Sequence, residues 1–191
     1  MEKLVKARAA FLHVFNPTNF NGEGPLQFKC TGILKAGDPQ IAELEKLQDS
    51  VGAEKWGAKW PTVKKELITK DRMAIKDGNQ KEHLDGFAGN VFFNASNKFR
   101  PVVIDWNKEP LVESDGRPYG GCVCIFSIEI WAQDNAYGRR LNVKLKGLQF
   151  AEDGPAFGGG GAASQDDFQE LPAPANWNPP KGGGASVGLG V

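Results

Sequence analysis

The stretch GCVCIFSIEIWAQDNAYGRRLNVKLKGLQF, Gly121 to Phe150, decides the fold. It reads as two long strands joined by a short polar turn. On the first strand, Cys122, Cys124, Phe126, Ile128 and Ile130 share one face, with Ser127 and Glu129 on the other. Alternation with a period of two over this length marks a half-buried strand rather than a helix. Gln133 to Gly138 forms the turn, where Asn135 and Gly138 tolerate positive φ. The return strand points Leu141, Val143 and Leu145 inward. Asn142, Lys144 and Lys146 point outward, in line with Arg139 and Arg140 at its start. After Lys146 the parity slips, because Gly147 is followed by Leu148 and Phe150, and this predicts a β-bulge. One hairpin thus combines an apolar inner face with a cationic outer face, with Trp131 and Tyr137 towards its tip.

Working outward, Phe99-Arg100-Pro101 is a tight turn into a short strand, Val102 to Trp106, and Asp115 to Gly121 is the turn that feeds the hairpin. Gly89 to Asn97 is a further strand with Val91, Phe93 and Ala95 on one face. Phe92 faces the other way, as a core contact or, less simply, as a stacking platform. Near the start, Lys6 to Phe15 places Ala7, Ala9 and Phe11 on one face and Lys6, Arg8 and Ala10 on the other, and Asn16 to Asn19 ends it as a turn. Leu26 to Lys35 turns Leu26, Phe28, Cys30 and Leu34 one way and Gln27, Lys29, Thr31 and Lys35 the other.

Asp38-Pro39 opens a helix as N-cap and first helical residue, with Ile41, Leu44, Leu47 and Val51 as its buried stripe and Gly52 as its stop. Residues 54–80 hold the densest basic run: Lys55, Lys59, Lys64, Lys65, Lys70 and Arg72. Trp56 and Trp60 bracket Gly57 there, and Pro61 starts a second helical pattern. The simpler reading is an insertion loop with solvated lysines. The functional one is a basic lobe with a tryptophan free to stack.

The formal charge of zero hides an asymmetry. Residues 1–150 carry 22 Lys and Arg against 18 Asp and Glu, a balance of +4; residues 151–191 carry one Lys against five acids, −4. A basic body with an acidic tail suits a polyanion partner. Residues 1–157 are expected to form one domain. Residues 158–191, rich in Gly and Pro around the acidic cluster QDDFQEL (Gln165 to Leu171), form a tail expected to be disordered alone. Three cysteines in strand-like segments argue for a reducing compartment, and no apolar run approaches the ~20 residues of a membrane span.

Catalytic and metal chemistry find little support. Cys122-x-Cys124 lacks the zinc spacing of Cys-x₂₋₄-Cys and a second ligand pair, so inert buried thiols are expected and no metal site is assigned. Neither His13 nor His83 accompanies a nucleophile motif. Gly158 to Gly161 lacks the Lys-Ser/Thr ending of a phosphate loop. Asp105, Glu109, Glu113 and Asp115 are near in sequence but fall at a strand end and a turn. No enzyme and no cofactor is expected. What remains is a mainly β fold: an OB-fold-like antiparallel barrel of five to six strands with one or two helices inserted.

The opening ARAAF with its Phe-Asn-Pro turn, the block NVFFNASNKFRPVVID and the run RPYGGCVCIFSIEIWAQDNAYGRRLNVKLKGLQFAEDG resemble a family of bacteriophage single-stranded DNA-binding proteins with OB folds. The likeness covers roughly residues 6–157. It implies coating of single-stranded DNA during phage replication and recombination, in the cytoplasm of the infected host. It also implies an acidic C-terminal tail ending in an aromatic, which recruits replication proteins and competes with DNA. Here the acids stop at Glu170, and the chain ends Ser-Val-Gly-Leu-Gly-Val. Asp166, Asp167, Phe168 and Glu170, within QDDFQEL, are the candidates for an internal version of that partner-binding patch.

Positive groups beside flat rings are what binding of a single strand requires. The leading candidates are Arg139, Arg140, Lys144 and Lys146 for phosphates, with Trp131 and Tyr137 for bases; Lys6, Arg8, Lys29, Lys98 and Arg100 form a second tier. Single-stranded DNA is the expected partner, and double-stranded DNA is a further candidate. The alternative is a virion structural or decoration protein whose tail is an assembly arm.

Overall fold

In the computed structural model, which describes residues 2–20 and 22–158, β6 (Val123–Asn135) and β7 (Gly138–Glu152) form the long hairpin. Cys122, Cys124, Phe126, Ile128 and Ile130 are buried, as are Leu141, Val143 and Leu145. The turn is tighter than expected. Asn135 pairs with Gly138, leaving only residues 136–137 as the loop. Gly138 takes φ of 96°, and the Asn135 side chain accepts a bond from the Tyr137 backbone N–H at 3.0 Å. Ser127 lies opposite Gly147 but Ile128 opposite Leu145, so Lys146 is the extra residue of the bulge. That residue lets Leu148 and Phe150 reach the same core as Leu145.

The other strands are β1 (Glu2–Phe20), β2 (Glu23–Leu34), β3 (Ile75–Asp77), β4 (Val91–Asn97) and β5 (Val102–Ile104). β1 pairs antiparallel with β2 and β6, β2 with β4, and β6 with β7. The ring closes where β4 runs parallel to β7, through Ala95–Val143 and Ser96–Lys144. β5 is also parallel to β7. The barrel is therefore not wholly antiparallel: five strands close it, while β3 and β5 extend the sheet at its margins. In chain order the barrel strands are β1, β2, β4, β6 and β7, and pairing of the first with the fourth and of the third with the fifth is the Greek-key connectivity of the OB-fold.

Several local expectations change. β1 runs through residues 16–19 instead of turning, because its ladder with β2 is interrupted between His13 and Thr18 and Pro17 forfeits no bond there. Phe11 adopts φ of 49° at the break between Ala10 and His13, which turns its ring outward and leaves Ala10 buried. Leu26, 58% exposed, is not in the core.

α1 (Pro39–Trp56) starts as read, with Asp38 Oδ1 accepting from the Gln40 N–H at 2.9 Å. Leu44 is fully buried, and Ile41, Leu47 and Val51 pack against the core. Gly52 does not stop the helix, which continues to a true cap at Gly57 (φ 54°). Residues 54–80 are not an insertion loop, since α2 (Trp60–Thr69) and β3 fall within them. Nor is a tryptophan free there: Trp60 is buried, and Trp56 stacks on it at 5.6 Å and donates to Asp134.

Phe92 is core, as the simpler reading held, but of a second small cluster. With Ala10, Ile33 and Phe87 it is sealed on the outer side of the sheet, against which Leu84 and Phe157 pack. The segment after β7 is fixed there by Arg8, which donates to the Pro155 carbonyl at 2.7 Å and sits 4.1 Å over the Phe157 ring.

A Cβ on Gly52 would lie 2.5 Å from the Trp60 indole. Gly52→Ala should therefore destabilise the protein by about 1–2 kcal/mol, overpacking outweighing the gain in helix propensity. Urea denaturation should show a lower midpoint at unchanged slope; a raised midpoint would mean the Gly52–Trp60 contact is loose.

Candidate nucleic-acid interface

Alternation on β7 sends Arg140, Asn142 and Lys144 out of the barrel between Leu141, Val143 and Leu145. Closure onto β4 sets them beside Asn94 and Ser96, and β2 adds Gln27, Lys29 and Thr31. Three adjoining hollows result, of about 690, 680 and 420 Å³, and Arg140 and Ser96 line all of them. The first extends to Trp131 and Lys98, the second to Phe11 and Lys81, and the third to Arg72 and Lys76. Together they make a groove across β2, β4 and β7.

Arg140 is the junction. Its Nε is buried and has no hydrogen-bond partner among the described residues, an expensive state for a charged donor. Lys144 stands 4.0 Å from Glu129, which also lines the Trp131 end. Lys29 donates to the Asn19 carbonyl at 3.1 Å, and Lys98 lies 4.8 Å over the Phe99 ring. Trp131 is 43% exposed, so its ring is neither sealed nor loose.

Other candidates are engaged elsewhere. Arg139 is held by Glu66 and Asp134, each at 3.4 Å. The Trp56 indole N–H, and after it Arg139, hold Asp134 below the usual carboxylate range. Glu66 is lowered first by Lys70 and then by Arg139. Lys146 pairs with Glu2, Lys6 with Glu152, and Arg8 clasps the 155–157 segment. Tyr137 is 81% exposed at the hairpin tip, and Arg100 is exposed between β4 and β5; neither lines the groove. Asp166, Asp167, Phe168 and Glu170 lie outside the described residues.

Sequence reasoning missed Lys81 and Lys76, in segments without periodicity. Lys76 is paired with Asp71 at 2.7 Å. The Lys81 ammonium sits 4.9 Å over Phe92. Burial, and after it the charge of Lys76, holds Lys81 below the ordinary lysine value of 10.5, with Asp71 opposing. The thiols are inward and screened: Cys122 and Cys124 sulfurs lie 3.5 Å apart in the core, and burial pushes the Cys30 thiol up.

By architecture the chain falls in the class of OB-fold proteins with an open, cation-lined outer groove. The family described as Enterobacter phage Enc34, ssDNA-binding protein, matches residues 2–177, and the chain belongs to it. Protein p50 of Acyrthosiphon pisum secondary endosymbiont phage 1 is 40% identical over 172 residues, covering 88% of this chain and 92% of that protein. In fold the chain is similar to the single-stranded DNA-binding protein of bacteriophage Enc34 in complex with ssDNA, at 22% identity and a TM-score of 0.68, over 82% of this chain and 89% of that one. It is also similar to gp2.5, a single-stranded DNA-binding protein of bacteriophage T7, at 14% identity and a TM-score of 0.52, over 89% and 98%.

A strand contacting Lys81 needs the charged ammonium. Affinity for oligo-dT should be full below the depressed Lys81 pKa and fall as pH rises through it, before the ordinary 10.5 is reached. Lys81→Arg, protonated throughout, should stay flat over that window in anisotropy titrations at fixed ionic strength; parallel profiles would remove Lys81 from the interface.

Proposed function

We propose that the protein binds single-stranded DNA along the β2/β4/β7 groove with little sequence preference, and coats it during phage replication and recombination in the host cytoplasm. The observation that carries this reading is Arg140, half-buried where three hollows meet, with a buried Nε that has no hydrogen-bond partner among the described residues. A phosphate is the acceptor such a guanidinium suits. Lys29, Lys98 and Lys144 extend the cationic path, and Trp131 offers its face to a base. Tyr137 and Arg100, exposed but outside the groove lining, would meet a strand only beyond the groove, and Arg139 and Lys146 would first have to leave their carboxylates.

Two contacts support weak sequence preference. Thr31 donates to Asn94 Oδ1 at 2.8 Å and Asn142 to Gln133 at 3.2 Å, so part of the groove's polar lining is engaged within the protein rather than with base edges. The role is binding rather than catalysis. Asp105 is paired with Arg117 at 3.0 Å, Glu113 accepts from Asn16, and Asp115 caps the Val112 N–H. The patch Asp166, Asp167, Phe168 and Glu170 is the proposed contact for replication proteins, and double-stranded DNA is a weaker ligand of the same groove.

Arg140→Ala should weaken oligo-dT binding and flatten the log–log salt dependence by ~0.7, one phosphate contact on a single strand. Arg139→Ala, which releases an arginine already paired, should leave the slope unchanged. Trp131→Ala should cost ~1–3 kcal/mol at constant slope. Absence of binding, with salt-insensitive self-association, would favour the virion role instead.

A further inference from the structure

β1 carries a bulky ring where its backbone disfavours one. Phe11 sits at φ of 49°, in a region that glycine or asparagine occupies far more readily. Burial recovers little of that strain, since the side chain is 51% exposed. Phe11 stands between two hollows: the Lys29/Lys81 part of the groove and, on its other side, an apolar hollow of about 370 Å³. The second hollow is walled by Phe87, Leu84 and Phe157, with His83 and Asp85 among its polar lining. Its size is within the ~300–1,000 Å³ typical of small-ligand pockets. Backbone strain persists where the surrounding structure enforces it, commonly at ligand contacts.

The hollows form a series through shared walls. Gln27, Ser96 and Arg140 join the Trp131 end to the Lys29/Lys81 part, and Phe11 joins that part to the apolar hollow. From the geometry we infer that Phe11 is a second stacking platform, and that the hollow behind it takes one unpaired nucleobase of a strand whose backbone passes Lys81. A flat, largely apolar ring system fits a pocket of aromatic walls, and the phosphate beside it meets the ammonium that lies over Phe92. The Phe87 ring, 6.1 Å from that of Phe11, supports the platform from within. A duplex, with its bases paired, has none to offer the hollow. The inference rests on the groove reading above, and gives the bound strand two aromatic ends, Trp131 and Phe11.

Phe11→Asn removes the ring while relaxing the backbone, so thermal melts should show a fold at least as stable as the natural one. Its affinity for oligo-dT, by fluorescence anisotropy, should drop roughly 5- to 100-fold, as for one lost stacked base. The salt slope should not change, because no phosphate contact is removed. Phe11→Tyr, which keeps the flat face, should bind within about twofold of the natural protein. Phe11→Asn binding at natural affinity would overturn the inference, as would Phe11→Tyr losing as much as Phe11→Asn. If those results came while Arg140→Ala still weakened binding, the groove would stand and only the platform would fall. If the natural protein did not bind oligo-dT, both would fall together.

Discussion

The parallel contact between β4 and β7, two residue pairs long, is the constraint on which the rest depends. Every other pairing in the ring joins antiparallel neighbours, and without the fifth contact those strands would form an open sheet with β4 near one edge and β7 near the other. Closure at Ala95–Val143 brings two buried faces together, while Ser96–Lys144 brings two outward side chains side by side. The same contact thus completes the core and creates the groove. Its sequence separation is large, so its loop-closure entropy must be met by the apolar surface it buries. Phe93 and Phe126, packed edge-to-face at 5.3 Å beneath it, supply part of that surface.

Electrostatics on this barrel divide according to reach. Arg139, Lys146 and Lys6 have carboxylates within range, and each pair is exposed enough to contribute little to stability. They nevertheless leave these three cations neutralised by carboxylates in the free protein. Arg140, one residue from Arg139, points across the strand to the face where no carboxylate meets its Nε. Alternation along β7 therefore sorts two adjacent arginines into different environments.

This division sets what could be read from the residues alone. The inward faces of the hairpin, the bulge at Lys146 and the Asp38 cap are local consequences of spacing and side-chain type, so they were legible. Partners were not: Glu66 lies 73 residues from Arg139, and Glu152 lies 146 from Lys6. The outward row Gln27, Lys29 and Thr31 was visible on β2, but its place opposite Arg140 depended on closure. Gly52 looked like a helix stop because glycine usually is one, yet here the missing Cβ makes room for an indole. Phe11 broke its alternation through a backbone inversion that no side-chain pattern announces.

β2 and β4 carry both wet and dry surface on one outer face. Ile33 and Phe92 lie under Phe87 and the 84–87 loop, whereas Lys29, Thr31 and Asn94 line the open groove. The boundary falls at Phe11 and Lys81, where the small second core stops. A cation at the edge of such an apolar wall sees a lower effective dielectric than one on an open surface, so each Coulomb contact it makes is stronger. Burial that disfavours the Lys81 charge in the free protein is the same burial that strengthens its attraction to an arriving anion. The second core thus does more than seal the sheet: its margin brings a cation, an apolar wall and an exposed ring together at one end of the groove.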